Sequence, residues 1–233
     1  MNYRNTSRAQ SVSYESGLRT YMIGVFNKMF IALAMTGVVA WLIGSNHQAL
    51  VFLAKGPMWL CFFALLGLGF VLPMRLHKMQ VSTANNLFLL YSALMSIWIS
   101  PLIAIYTGAS IANAFFSTAV FFGGMSLLGY TTKKDLTSIG TFMFIGLITV
   151  CITSVVNHFF FHSSSLSMGL SAISVVIFCG LTAYDVQNIK RFYSYAPDSD
   201  SLSKSSIFGA FQLYLDFISI FIHLLQLFGN RKD

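Results

Sequence analysis

The sequence predicts an all-α integral membrane protein with seven transmembrane helices. Hydrophobic residues make up 56% of the 233 residues and charged residues only 9%, which leaves too little polar surface for a water-soluble globule. Apolar runs of about 20 residues, the length that crosses a hydrocarbon layer ~30 Å thick as a helix, recur along the whole chain. The net charge of +7 comes from lysines and arginines at the ends of these runs, so membrane topology explains it and no nucleic-acid partner is expected.

The spans follow one another with short connections and leave no room for a separate soluble domain. Their predicted bounds are 23–44, 50–73, 86–107, 110–130, 139–161, 166–191 and 207–229, within one transmembrane domain over 23–229. Residues 1–22 are polar and are expected to form an N-terminal tail, with a short C-terminal tail over 230–233. No short apolar core with a cleavage site precedes the first span, so we expect no cleaved signal peptide.

The orientation follows from the positive charges on alternate connections. Ten lysines and arginines fall on the side of the N-terminus and three on the other side, which predicts a cytoplasmic N-terminus. The side of the C-terminus stays open, because a re-entrant last span would return the basic tail to the cytoplasm. Lys28 lies near the start of the first span and is expected to extend to the cytoplasmic surface.

Two carboxylates, Asp185 and Asp216, lie inside the last two spans. An ionised carboxylate near the bilayer centre costs about 3 kcal/mol, so such residues usually have a function. The midpoint between them falls near residue 200, in the polar connection between the spans. Antiparallel helices that leave one turn rise at equal rates, so with helix ends near 194 and 207 both carboxylates are expected about 14 Å from the cytoplasmic end, near mid-membrane.

Polar neighbours place each aspartate on a polar helix face that is expected to point into the bundle. These candidate pore or proton-path residues are Gln212, Ser219 and His223 on the last span, and Thr182 and Asn188 on the preceding one. Two carboxyl groups in contact away from water would share a proton, which makes the pair a candidate pH sensor or cation ligand. The alternative is that each aspartate only forms a structural hydrogen bond between helices.

Three segments carry a resemblance to a known family: GLTAYDVQNIK over 180–190, LYLDFISIFIHLLQLFG over 213–229 and GYTTKKDLTSIGTFMFIGLI over 129–148. The chain resembles the Bax inhibitor-1 family, also called transmembrane Bax-inhibitor-motif proteins, and its compact size resembles that of the bacterial members. The resemblance implies a bacterial inner-membrane protein with the last helix at the centre of a seven-helix bundle.

The functional implication of the resemblance is a pH-sensitive calcium leak gated by an aspartate pair. The matching residues are Asp185 and Asp216, which would be the sensor and the tentative calcium ligands, with calcium as the transported ion and no cofactor. Arg75 matches the arginine that pairs with the first aspartate in the closed state. Ser219 and Gln226 depart from the family pattern, where asparagine and arginine are usual, and this leaves the ion preference open.

Two alternatives belong to other functional classes. Some bacterial members bind and restrain the membrane-anchored AAA protease of the inner membrane, and the polar tail over 1–22 would then be the docking segment. An intramembrane aspartyl protease also uses two embedded aspartates. The sequence lacks the Gly-x-Gly-Asp and Pro-Ala-Leu motifs of those proteases, so we expect no enzyme.

Overall fold

The protein is a bundle of long helices, as predicted. The computed structural model describes the backbone of residues 2–195 and 198–232 and their side chains from residue 14 onwards, apart from residue 77. The helices are α1 (Asn2–Gly44), α2 (His47–Ala54), α3 (Pro57–Arg75), α4 (Val81–Ile105), α5 (Gly108–Thr131), α6 (Thr137–Val156), α7 (Ser164–Tyr195) and α8 (Ser199–Phe228). All of them except α2 are long and apolar enough to cross a membrane, which gives seven candidate spans within the described part of the chain.

The last helix lies at the centre of the bundle, which agrees with the prediction. Helix α8 packs against α1, α4, α5 and α7, and its fully buried side chains include Leu213, Tyr214 and Ile220. The outer helices instead expose large apolar side chains, such as Leu60 on α3 and Phe142 on α6. Such a surface is stable only against lipid, so the exposed apolar residues support the membrane assignment.

The first helix differs from the predicted tail and span. It is continuous from Asn2 to Gly44, and Leu18, Tyr21 and Met22, within the predicted tail, are buried in the core. Hydropathy averaged along a mostly polar segment does not detect a single apolar face of a helix. The expected boundary at residue 23 was therefore too late.

The second predicted span, 50–73, is divided in the structure. Helix α2 ends at Ala54 and α3 begins at Pro57. Gly56 between them has a φ of 149°, which favours glycine, and Pro57 occupies the first turn of α3, where its missing N–H costs nothing. Lys55 and Gly56 therefore end the first helix inside a run that hydropathy alone treats as continuous.

The hairpin that carries both aspartates also has different ends from those predicted. Helix α8 begins at Ser199 rather than near 207, because the Asp198 side chain caps it by accepting a hydrogen bond from Ser201 N at 2.6 Å. Helix α7 ends at Tyr195, close to the expected 194.

The C-terminal tail is fixed to the connection between α4 and α5. Thr107 N donates to Asn230 O at 3.1 Å and Lys232 N donates to Ile105 O at 2.8 Å, and Lys232 Nζ donates to Ile103 O at 2.7 Å. Helix α8 is continuous over 30 residues, long enough to cross a bilayer. The tail therefore lies at the end of the bundle where α4 ends.

Candidate functional site

The structure brings Asp185 of α7 and Asp216 of α8 together. Their carboxyl groups lie within hydrogen-bonding reach of each other. Only 7% of Asp185 and 4% of Asp216 is exposed. Both residues belong to α7 and α8, the most buried pair of helices in the bundle. The sequence argument of equal depth therefore led to the correct pairing.

The contact lacks a hydrogen-bond donor among the described side chains. An ionised carboxylate only accepts hydrogen bonds, and Asp216 Oδ2 is buried without a donor from any described residue. Two ionised groups would repel each other and would leave this oxygen unsatisfied. A proton shared between the two carboxyl groups would supply the missing donor, and the two groups would then titrate as one unit.

Helices α7 and α8 pack closely between the aspartate pair and the turn that joins them. A Cβ atom at Gly209 would lie 2.8 Å from Ile189 Cγ1, so only glycine lets the two helices approach this closely. This contact lies between the aspartates and the polar connection, so it supports the register in which Asp185 meets Asp216. The early start of α8 at Ser199 therefore does not move Asp216 away from Asp185.

A cavity of about 400 Å³ leads toward the pair from the end of the bundle where α7 ends. We call it the Gln212 cavity; its walls include Gln212, Asn188 and Lys204. Gln212 Nε2 donates to Asp185 Oδ1 at 3.4 Å, so one wall residue of the cavity contacts the pair directly. This places two of the predicted polar residues, Gln212 and Asn188, between the bundle end and the aspartates.

The remaining predicted polar residues lie on the other side of the pair or beside it. The Thr182 hydroxyl is fully buried, donates to Phe178 O at 2.7 Å and also lies within hydrogen-bonding reach of Asp216. Ser219 and His223 continue along α8, and His223 stacks on Phe178 with ring centroids 6.2 Å apart. His223 Nδ1 is buried without a partner among the described residues.

Arg75 is not part of the site in this conformation. It is exposed at the last turn of α3 and forms no ion pair with a described residue. Asp185 accepts its hydrogen bond from Gln212 instead. The predicted pairing of Arg75 with Asp185 therefore stays a prediction for another state of the protein.

Sequence reasoning missed a second buried polar cluster that holds α8 in place. The Thr36 hydroxyl of α1 lies 2.8 Å from the Tyr214 hydroxyl and 3.1 Å from Ser92 O of α4. Tyr214 is fully buried two residues before Asp216. Thr36 and Tyr214 are on different helices and far apart in the chain, so no spacing in the sequence indicates their contact. Only the packed structure identifies it.

Gln187 is a further residue that the sequence did not single out. Its side chain accepts from Leu136 N and donates to Lys134 O, both at 2.8 Å. It therefore fixes the connection between α5 and α6 to α7, half a turn beyond Asp185. Gln187 lies within the segment 180–190 that carried the family resemblance, and this position could have indicated its importance.

Comparison with known proteins identifies the family. The family model described as "Inhibitor of apoptosis-promoting Bax1" matches residues 18–233. A protein of Rickettsia prowazekii is 42% identical over 229 residues, covering 98% of this chain and 97% of the relative. Inner membrane protein YbhL of Escherichia coli is 40% identical over 225 residues, covering 95% of this chain and 96% of the relative. A protein of Caulobacter vibrioides is 35% identical over 251 residues, covering both chains completely.

The matches extend over the whole helical bundle, including both helices that carry the aspartate pair. The family model begins at Leu18, which is the first buried side chain among the described side chains of α1. The likeness therefore covers the part of the chain that forms the core. This chain belongs to the Bax inhibitor-1 family of membrane proteins.

Proposed function

We propose that this protein is a pH-sensitive cation leak of the membrane, with calcium as its transported ion. The single observation that carries the proposal is the buried contact between Asp185 and Asp216, for which a shared proton would supply the missing donor. Loss of that proton adds negative charge between the two most buried helices. The resulting repulsion favours a second arrangement of α7 and α8, and gating is the change between the two.

The polar groups around the pair supply a route for a cation. The Gln212 cavity opens one side toward the end of the bundle, and Ser219 and His223 continue the polar face on the other side. Carboxylate oxygens are preferred calcium ligands, so the deprotonated pair would bind the ion as it passes. Beyond Asp216, the side chains of Ile220 and Leu224 are buried, as we expect for a closed state of the proposed leak.

Arg75 is proposed to act as a latch, by forming an ion pair with Asp185 in a second closed conformation. Its place at the end of α3, next to the wall residues Pro73 and Leu76 of the Gln212 cavity, allows an approach to Asp185 if α3 moves. An ion pair of this kind would stabilise the ionised form of Asp185.

The test is calcium flux into liposomes that contain the purified protein and a calcium-sensitive dye. The wild type should show a flux that changes with buffer pH, because the shared proton is lost over part of that range. D185N and D216N should flatten the pH response, since an amide neither ionises nor repels its neighbour. E15Q removes an exposed carboxylate of α1 and should keep the response of the wild type.

Two outcomes, one from the flux experiment and one from a peptide-cleavage assay with the same variants, would count against the proposal. A double variant, D185N with D216N, that keeps the full pH response would separate gating from the pair. Cleavage of a transmembrane peptide that both single variants abolish would assign the pair to proteolysis. Parallel measurements with potassium, sodium and magnesium define the ion preference, which the serine at position 219 leaves open.

Binding of a membrane-anchored AAA protease is a second proposal, and the structure sharpens its test. Tyr14 and Tyr21 hydrogen-bond to Ser194 and Ser205, so deleting the whole predicted tail over 1–22 would also damage the core. Deletion of residues 1–13 keeps these contacts. We expect this deletion to abolish co-purification with the protease and to leave calcium flux unchanged, whereas D216N should do the reverse; unchanged co-purification would contradict docking through this segment.

A further inference from the structure

A second cavity, of about 700 Å³, lies between α1, α7 and α8. We call it the Lys28 cavity. Lys28 Nζ donates to Ser206 Oγ at 3.1 Å. An ammonium group has three donors, and no carboxylate is among the described residues that line the cavity. The cavity therefore contains a cation with donors left for a ligand.

The position of Lys28 along the bundle is that of the membrane boundary. Ser206, its partner, directly precedes the apolar run of α8 over residues 207–228. Such a run is about 33 Å long, close to the thickness of the hydrocarbon layer. We therefore expect the Lys28 ammonium at the edge of that layer, the level at which lipid phosphates begin.

A second donor lies in the same cavity, nearer to the bundle end. The Tyr193 hydroxyl of α7 lies against Gly17 of α1 and makes no hydrogen bond with a residue that the structure describes. Gly24, one turn before Lys28, leaves space beside the ammonium, since a Cβ atom there would be 3.9 Å from Lys28 Nζ. Gly17 and Gly24 are two turns apart, which separates the two donors by about 10 Å along α1.

We propose that the Lys28 cavity binds the headgroup of an anionic phospholipid of the phosphatidylglycerol type. The phosphate accepts hydrogen bonds from the Lys28 ammonium at the hydrocarbon edge, and the headgroup hydroxyls reach outward to Tyr193. In a lipid the phosphate is nearer to the acyl chains than the headgroup alcohol is, so the order of the two donors along α1 matches the order of the groups that they would bind. A zwitterionic choline headgroup would place its own cation in a cavity whose described lining residues carry no charge other than that of Lys28.

The test is lipid retention by the purified full-length protein, measured by native mass spectrometry after addition of phosphatidylglycerol, phosphatidic acid or phosphatidylcholine. The wild type should retain phosphatidylglycerol in preference to phosphatidylcholine. K28M should weaken phosphatidylglycerol binding about tenfold, because it removes a charge-assisted contact to phosphate. Y193F should weaken phosphatidylglycerol but not phosphatidic acid, which has no headgroup hydroxyl.

Matched variants separate the site from general effects on folding or charge. K133M removes an exposed lysine and should leave retention unchanged. G24L fills the Lys28 cavity while keeping its charge and should exclude the lipid, whereas G37L on an open face of α1 should not. Equal retention of phosphatidylglycerol and phosphatidylcholine, or folded K28M with unchanged retention, would overturn the proposal. Inorganic phosphate or glycerol 3-phosphate that binds as tightly as the lipid would assign the cavity to a soluble phosphate and would overturn it as well.

Discussion

At the scale of single residues, two glycines allow neighbouring helices to reach α7 beside Asp185. A Cβ atom at Gly129 of α5 would overlap the carbonyl oxygen of Ala183, and one at Gly140 of α6 would overlap the ring of Tyr184. Ala183 and Tyr184 are the two residues before Asp185 in the chain. The absence of two side chains therefore determines how tightly protein encloses the carboxyl pair.

The glycine contacts lead to a prediction about stability. G129A should lower the free energy of unfolding by about 1–3 kcal/mol, because the added methyl group forces α5 away from a backbone atom of α7. G123A is the matched control on the same helix, where a Cβ atom would meet nothing within 4 Å; alanine there should be neutral or slightly stabilising. Thermal unfolding in detergent measures both, and equal unfolding temperatures would show that α5 and α7 are not in close contact.

At the scale of helices and their connections, the segment between α5 and α6 is held to α7 by charged and amide side chains. Asp135 forms an ion pair with Arg191 at 2.8 Å and accepts from both the backbone and the hydroxyl of Thr137. The Gln187 amide bonds to the same connection from one turn below. Helix α7 thus carries Asp185 and also positions the connection at its end.

The Asp135 contacts predict a pH dependence. The hydrogen bonds from Thr137, followed by the interaction with Arg191, lower the pKa of Asp135 to about 2. A lowered pKa stabilises the fold above the unfolded pKa of about 4, and this contribution is lost as the pH falls toward the folded value. The difference in unfolding temperature between wild type and D135N should therefore be constant above about pH 5 and should shrink toward pH ~2. A difference that is independent of pH would contradict these contacts in solution.

At the scale of the whole molecule, the sequence predicted the number of long helices, the central last helix and the meeting of Asp185 with Asp216. These predictions rest on hydropathy, on equal rise along a hairpin and on family resemblance, all of which act over many residues. The start of α1, the break at Gly56 and the capped start of α8 at Asp198 depend on one or two residues each, so averages along the chain did not detect them.

The cavities lay beyond sequence reasoning for a different reason. Each is formed by side chains from three or more segments, and its shape depends on packing of helices that are distant in the chain. The polar spacing on α8 placed Gln212 next to the pair, but nothing in the spacing indicated that α1 would place Lys28 against Ser206. The sequence therefore identified the aspartate site and missed the second cavity.

The attachment of the tail to the α4–α5 connection has a topological consequence. The segment from Thr107 to Asn230 has its two ends next to each other, because Thr107 N donates a hydrogen bond to Asn230 O. Four helices, α5 to α8, thus form a closed circuit, and both aspartates lie within it. This half of the molecule has its own beginning and end side by side, which is the geometry that tolerates circular permutation.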